Sequence, residues 1–89
     1  MKLWGWKPEK NVKLQSMGRP SFEEVLLALE EGGYRDILQN PNYPDRMLLI
    51  VMINDYAHVV SFKVTLKLNI MFTVFPSRAY QKKHQGKKL

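Results

Sequence analysis

The segment Ser21–Gly33, which reads SFEEVLLALEEGG, limits the possible folds of this chain more than any other. Ser21 and Glu24 have the spacing of a capping box, in which each residue's side chain caps the backbone N–H of the other. Apolar residues follow at helical spacing, namely Phe22, Val25, Leu26 and Leu29. Gly32 and Gly33 then end the pattern. The segment predicts an amphipathic helix whose apolar face needs a second layer to cover it.

Beyond Gly33 the sequence changes to strand patterns. The run 47–53, MLLIVMI, is continuously apolar, which is typical of a strand buried on both faces. Asn54 and Asp55 have turn chemistry, and apolar and polar residues alternate after them. Five strands are predicted, over residues 2–6, 34–38, 47–53, 57–66 and 70–75. The loop NPNYPD separates the second from the third, and residues 67–69 separate the last two.

Two further helices are predicted around these strands. Pro8 is suited to begin a helix that runs to about Met17, and Gly18 is suited to end it. A basic helix over 78–84 follows Pro76. Helices grouped before a run of strands indicate an α+β fold. We therefore expect N-terminal helices packed on an antiparallel β-sheet, with a short basic helix at the C-terminus.

Length and composition exclude several classes of protein. Eighty-nine residues form one small domain, 1–89, and the chain has no cysteine for a disulfide or a thiolate metal site. With two histidines we expect no metal and no other cofactor. No segment reads as a signal peptide, and the longest apolar run is too short to cross a bilayer. We expect a cytoplasmic protein without membrane association.

The net charge of +6 is concentrated near the C-terminus. Residues 75–89 contain five Lys or Arg and no acid, whereas the remaining chain contains nine Lys or Arg and eight Asp or Glu. A local excess of this kind favours an anionic partner, such as nucleic acid, an acidic protein or an anionic lipid surface. A solubilising tail is the alternative, and residues 84–89 are expected to be flexible.

Four short motifs occur in a familiar order over almost the whole chain. They are WKPEKN at Trp6–Asn11, SFEEV at Ser21–Val25, NPNYP at Asn40–Pro44 and PSR at Pro76–Arg78. In their order and spacing the chain resembles the BrnT-like toxins of bacterial type II toxin–antitoxin systems. It departs from them at Lys7, where the family usually has an acid, at Ala79, where the family has lysine, and in the sparsely charged last strand.

The resemblance implies a compact RelE-like fold and a ribonuclease that inhibits translation by cutting RNA, either free mRNA or mRNA on the ribosome. It also implies a cognate antitoxin that covers the toxin and binds operator DNA, so that DNA is contacted only through the antitoxin. Within the family motif, Arg78 is the residue marked to hold the scissile phosphate.

The residues around Arg78 suit RNA cleavage without a metal. Cations stabilise the charge of the phosphorane, and histidine or a tuned lysine can move protons. Lys82 and Lys83 are candidates for phosphate contact and catalysis, and His84 for a general acid or base. Tyr80 could stack on an unpaired base. Lys7 and Lys10, with Lys13 at helical spacing, form a second basic stripe that is a candidate for RNA binding.

Simpler roles fit the same residues. Arg78 could cap a strand or pair with an acid, for which Glu23, Glu24 and Asp36 are the candidates. The lysines could be solvated, and Tyr80 fits the rim of the core equally well. Trp4 and Trp6 read as core anchors, and His58 reads as a packed, hydrogen-bonded histidine. The alternative function is a catalytically silent RNA- or protein-binding module; a DNA-binding domain lacks a helix-turn-helix pair.

Overall fold

The computed structural model describes residues 3–85, with side chains as far as Lys83. It is a small α+β domain of three helices and a five-stranded sheet. In chain order the elements are β1 (Leu3–Gly5), α1 (Pro8–Ser16), α2 (Phe22–Glu30), β2 (Tyr34–Gln39), β3 (Met47–Ile53), β4 (Tyr56–Val64), β5 (Leu68–Pro76) and α3 (Arg78–Gln85). The predicted α+β class is confirmed. No helix among the described residues is long and apolar enough to span a bilayer.

The sheet is mixed, with the strand order β1-β5-β4-β3-β2. Strands β2 to β5 form the predicted antiparallel meander, but β1 pairs in parallel with β5, from Leu3 opposite Leu68 to Gly5 opposite Ile70. The expectation of a wholly antiparallel sheet is therefore wrong. Helices α1 and α2 carry the chain across the sheet to begin β2 at one edge. Strand β1 therefore lies at the opposite edge, next to β5 and parallel to it.

The two hairpin turns differ in how well the sequence predicts them. Asn54 and Asp55 have φ values of 53° and 63°, the left-handed conformation of a type I′ turn, as their chemistry indicated. The next turn begins earlier than expected, because β4 ends at Val64. There Thr65 Oγ1 donates to the carbonyl oxygen of Leu68 at 2.7 Å and closes the turn. The predicted strand residue Leu66 is in the turn and is 98% exposed.

Helices α1 and α2 cover one face of the sheet, as predicted. The core on this face contains buried residues from both helices and from three strands, namely Leu14, Phe22, Val25, Ala28, Leu49, Val51, Ile53, Val60, Phe62, Met71 and Val74. Trp4 and Trp6 pack against it and are core anchors. Ile50, Ala57 and Val59 alternate with these core residues along β3 and β4, and they are also buried. Helix α3 packs against β4. Strand β3 is thus buried on both faces.

Two of the motifs meet at the start of α2. The predicted capping box is present, with the backbone N–H of Glu24 donating to Ser21 Oγ at 3.2 Å. Asn11 of α1 accepts the backbone N–H of Phe22 at 2.9 Å and donates from Nδ2 to Glu23 Oε1 at 2.6 Å. The Asn11 amide is the main reason that the pKa of Glu23 lies below its ordinary value. These motif residues join α1 to α2.

Replacing Asn11 with alanine should lower the free energy of unfolding by about 1–2 kcal/mol, since the Phe22 N–H at the helix start would lose its acceptor. The pKa of Glu23 should rise toward its ordinary value, because its donor is removed. Urea unfolding and an NMR titration of the Glu23 carboxyl measure the two effects. Asn11→Asp keeps an acceptor for Phe22 but puts a carboxylate beside Glu23, so both variants are compared in a Glu23→Gln background, where Asn11→Asp should be the more stable. Equal stability of the two variants would contradict this role.

Candidate nucleic-acid interface

The P-S-R segment connects β5 to α3, and Ser77 is its structural centre. The backbone N–H of Ser77 donates to the Ala57 carbonyl oxygen at 3.0 Å, which continues the pairing of β5 with β4. Ser77 Oγ accepts the backbone N–H of Tyr80 at 3.3 Å, so Ser77 is the N-cap of α3. The serine of this motif therefore fixes where the helix begins, and hence where Arg78 is presented.

A side chain of α3 fastens the helix to the sheet. Gln81 Oε1 accepts the backbone N–H of Ala57 at 2.8 Å, a polar contact that is partly buried. Tyr80 is half-buried, so part of its side chain packs at the rim of the core and part remains accessible to solvent. Because both ends of the first helical turn are held, the side chains that α3 presents to solvent have a defined position relative to β4.

Three cations of α3 face solvent together. Arg78, Lys82 and Lys83 are all exposed, and Arg78 and Lys82 lie one turn apart on the same side of the helix. Ala79, which stands where the family has lysine, is exposed as well. Helix α3 contains no acid. The side chain of His84 and residues 86–89 lie outside the described part of the chain, so the role of His84 stays a prediction.

Arg78 forms no salt bridge with Glu23, Glu24 or Asp36. Within residues 3–83, the one salt bridge joins Lys63 Nζ to Asp45 Oδ2 at 3.5 Å. Glu23 and Glu24 are instead engaged at the start of α2. Arg78 is therefore a solvent-facing cation at the start of α3, two residues after the end of β5.

The second basic stripe is only partly solvated. Lys7 and Lys13 are exposed, but Lys10 is half-buried, and its Nζ lies 5.2 Å from the ring centroid of Phe72. A cation over an aromatic face is attracted by the ring quadrupole. The interpretation of this stripe as a simple solvated helix face is therefore wrong for Lys10, which is directed toward β5.

The sequence did not predict that an arginine, Arg46, also contacts the ring of Phe72. Arg46 precedes β3, and its Cζ lies 4.0 Å from the ring centroid of Phe72 and 4.5 Å from that of Tyr43. The sequence shows only that Arg46 follows the NPNYP motif, and nothing local indicates a partner in β5. The contact depends on the fold, so no pattern in the sequence identified it.

His58 is in β4, opposite Pro76 of the P-S-R segment. It is 8% exposed, and its Nδ1 is 2.8 Å from the carbonyl oxygen of Tyr56, so the ring is packed and hydrogen-bonded as interpreted from the sequence. Residues 3–83 contain no group of three or more His, Cys, Asp or Glu side chains that could hold a metal ion.

Comparison of the chain with protein-family models, with curated proteins and with solved structures found no match.

Proposed function

We propose that this chain is the toxin of a bacterial type II toxin–antitoxin pair, a RelE-like ribonuclease that cleaves RNA without a metal ion and so inhibits translation. The observation that supports this proposal most is the exposed cluster of Arg78, Lys82 and Lys83 on a helix that has no acid. Together with the resemblance carried by the four motifs, this cluster favours a phosphodiester as the ligand.

In this proposal Arg78 binds the scissile phosphate. A guanidinium can donate two parallel hydrogen bonds to phosphate oxygens, and it remains charged at any physiological pH. Such donors stabilise the extra negative charge that develops when the 2′-hydroxyl attacks the phosphorus. Lys82, one turn further along α3, adds a second contact on the same side. Tyr80 offers the accessible part of its ring to a base, and His84 is the candidate for proton transfer.

The same surface suits the proposed antitoxin. An acidic segment of the antitoxin would be attracted to the cations of α3 and would exclude RNA while bound. Inhibition would then need no conformational change in the toxin, because inhibitor and substrate compete for one set of charges.

A specific observation favours the second candidate function, a silent RNA-binding module. Ala79 replaces the family lysine and is exposed, and Lys82 and Lys83 are exposed too. General acid–base catalysis needs a side chain held within hydrogen-bond reach of the reacting proton, with a pKa tuned by burial or by neighbouring groups. Among the described residues of α3, none of the charged side chains is held in that way, whereas phosphate binding requires only accessible cations.

Arg78→Ala should reduce cleavage of a labelled RNA by about a hundredfold or more, in low salt and with EDTA present, since loss of one transition-state donor has an effect of this size. The matched control is Arg35→Ala, which removes the same charge from an exposed position on β2 and should leave the rate unchanged. An RNA with a single 2′-deoxy substitution at the cleaved position should resist the wild type.

The outcomes separate the two functions. Cleavage that persists equally in Arg78→Ala would remove this residue from the site. Cleavage of the 2′-deoxy substrate would contradict attack by the 2′-hydroxyl. Salt-sensitive RNA binding by the wild type, with no cleavage of free RNA or of mRNA on ribosomes, would replace the ribonuclease with the silent module.

A further inference from the structure

Arg46 is held in place without an anionic partner. Its guanidinium lies between the rings of Tyr43 and Phe72, at 4.5 and 4.0 Å from their centroids. Its Nε is buried and has no hydrogen-bond partner. The single ion pair among residues 3–83 uses its neighbour Asp45, which is bound to Lys63. A buried donor without an acceptor costs free energy, so the arrangement needs an explanation beyond stability.

The loop that carries Tyr43 and Arg46 has a fixed shape. The backbone N–H of Asn40 donates to the Arg46 carbonyl oxygen at 3.1 Å, and that of Arg46 donates to the Tyr43 carbonyl oxygen at 3.0 Å. Gln39 Nε2 donates to the Pro44 carbonyl oxygen at 2.7 Å. Asn40 Oδ1 accepts the backbone N–H of Asn42 at 2.9 Å. The aromatic ring and the guanidinium are therefore positioned before any ligand arrives, which reduces the entropy lost on binding.

A groove of about 400 Å³ separates this loop from β4 and β5. Its aromatic walls are Tyr43 and Phe75, and its polar groups include Arg46, Asn40 and the hydroxyls of Ser61 and Thr73. The lining contains no carboxylate. A volume of this size is within the range of small-ligand sites, and aromatic walls beside hydrogen-bonding groups suit a planar, polar ring.

A second groove continues the positive surface on the other side of Phe72. It measures about 370 Å³, is lined by Lys10, Lys13 and Arg19 among others, and shares Thr73 with the first groove. No carboxylate lines it either. Lys10 and Arg46 therefore approach one aromatic ring from α1 and from the start of β3, and the two grooves together form a cationic path without an acid in its walls.

We propose that the groove between loop 40–46 and β5 binds one unpaired nucleotide of a single-stranded RNA, with its base against Tyr43 and Phe75 and a phosphate on Arg46. The RNA backbone continues past Phe72 toward Lys10. Bases stack on aromatic side chains, and a guanidinium binds phosphate through paired hydrogen bonds. A phosphate in the groove would reach Arg46 from the side that lines it, and the assignment rests on the proposed function in taking RNA as the ligand.

The position of the groove relates it to the P-S-R segment. Phe75 is three residues before Arg78, so their Cα atoms are at most about 11 Å apart. One RNA strand could therefore contact Arg78 and the groove at once. In that arrangement the groove is a subsite that holds a nucleotide flanking the scissile phosphate, and it determines which phosphate is placed at Arg78.

Arg46→Met tests this assignment, with the affinity for a fluorescein-labelled single-stranded RNA of mixed sequence measured by anisotropy. Methionine can pack between the two rings, and removal of a buried, unpaired donor relieves a cost. We expect a melting temperature within about 3 °C of the wild type and an affinity lowered about tenfold. The slope of log K against the logarithm of the salt concentration should become less negative by about 0.7. Tyr43→Ala, at an exposed position, should weaken binding similarly.

The matched control is Arg35→Met, which removes the same charge at an exposed site on β2 and should change the affinity less than twofold. Unchanged affinity in Arg46→Met, with binding still lost in Arg78→Ala, would overturn the subsite and leave the proposed function intact. A lower melting temperature with unchanged affinity would show a purely structural arginine. Weakened binding in Arg46→Met without any cleavage would support the subsite and contradict the ribonuclease. Equal effects on a DNA strand of the same sequence would contradict RNA as its specific ligand.

Discussion

Phe22→Ala is expected to lower the free energy of unfolding by about 3–5 kcal/mol, the usual cost of deleting a buried phenyl ring. Phe22 has no exposed surface, and its ring centroid lies 5.5 Å from that of Trp6. The ring fills the space between α2 and the sheet, so its removal leaves a cavity that a rigid layer cannot close. A domain of this size has a total stability of roughly 5–10 kcal/mol. The variant should therefore retain at most a small margin of stability.

Urea unfolding followed by tryptophan fluorescence measures this effect, since Trp6 contacts the deleted ring. The matched control is Leu27→Ala, on the same helix but 54% exposed, which should cost less than about 1 kcal/mol. Phe22→Leu preserves most of the volume and should fall between the two. Similar costs for Phe22→Ala and Leu27→Ala would contradict the orientation of α2 on the sheet.

Gly33→Ala should cost about 3 kcal/mol, because a methyl group there would meet two backbone atoms. A Cβ at this position would lie 2.7 Å from the Met52 carbonyl oxygen and 2.8 Å from that of Ala28. Neither can move freely, since the Gly33 N–H donates to the Ala28 oxygen at 2.7 Å and the Met52 N–H donates to the Gly33 oxygen at 2.8 Å. The substitution would therefore separate α2 from β3 where β2 begins.

Its neighbour Gly32 provides the control. Gly32 has a φ of 85°, and a Cβ there would meet nothing within 4 Å. Gly32→Ala should cost about 1–2 kcal/mol, from the left-handed backbone alone. Thermal and urea unfolding of both variants should rank Gly33→Ala as the less stable. The reverse order would show that the close approach of α2 to β3 relaxes easily and that backbone conformation governs this turn.

The features that could be predicted from the sequence are those whose causes lie within a few residues. The capping box of Ser21 and Glu24 and the turn at Asn54 and Asp55 follow from spacing and side-chain chemistry, and the structure contains both. The end of β4 was misjudged although its cause is also local. Alternation of apolar and polar residues continues to Leu66, whereas the hydrogen bond from Thr65 to Leu68 turns the chain sooner.

The features that could not be predicted depend on contacts between distant parts of the chain. Strand β1 pairs with β5 at one edge of the meander and not with β2 at the other, and both edges could accept a strand. The register between β4 and β5 shifts beside Phe62, where Met71 and Thr73 have direct partners in β4 and Phe72 between them has none. A bulge of this kind can redirect a side chain, and here Phe72 receives both Lys10 and Arg46.

The motifs behind the family resemblance divide into two kinds when their contacts are compared. Trp6, Asn11 and Phe22 hold α1 and α2 together, so they describe a framework and would persist in a protein without catalytic activity. Arg78 is exposed and has no role in this framework. The experiments on Arg78 and Arg46 therefore address function, whereas those on the other motif residues address the fold.

The parallel pairing of β1 with β5 also has a consequence for protein synthesis. Residues 3–5 are translated early, but their partners, Leu68–Ile70, are made only after the rest of the sheet. Pairing between segments so far apart in sequence is slow to form, and on the ribosome it must wait for the later segment to emerge. A nascent chain therefore cannot complete this sheet until residues 68–70 have left the ribosome.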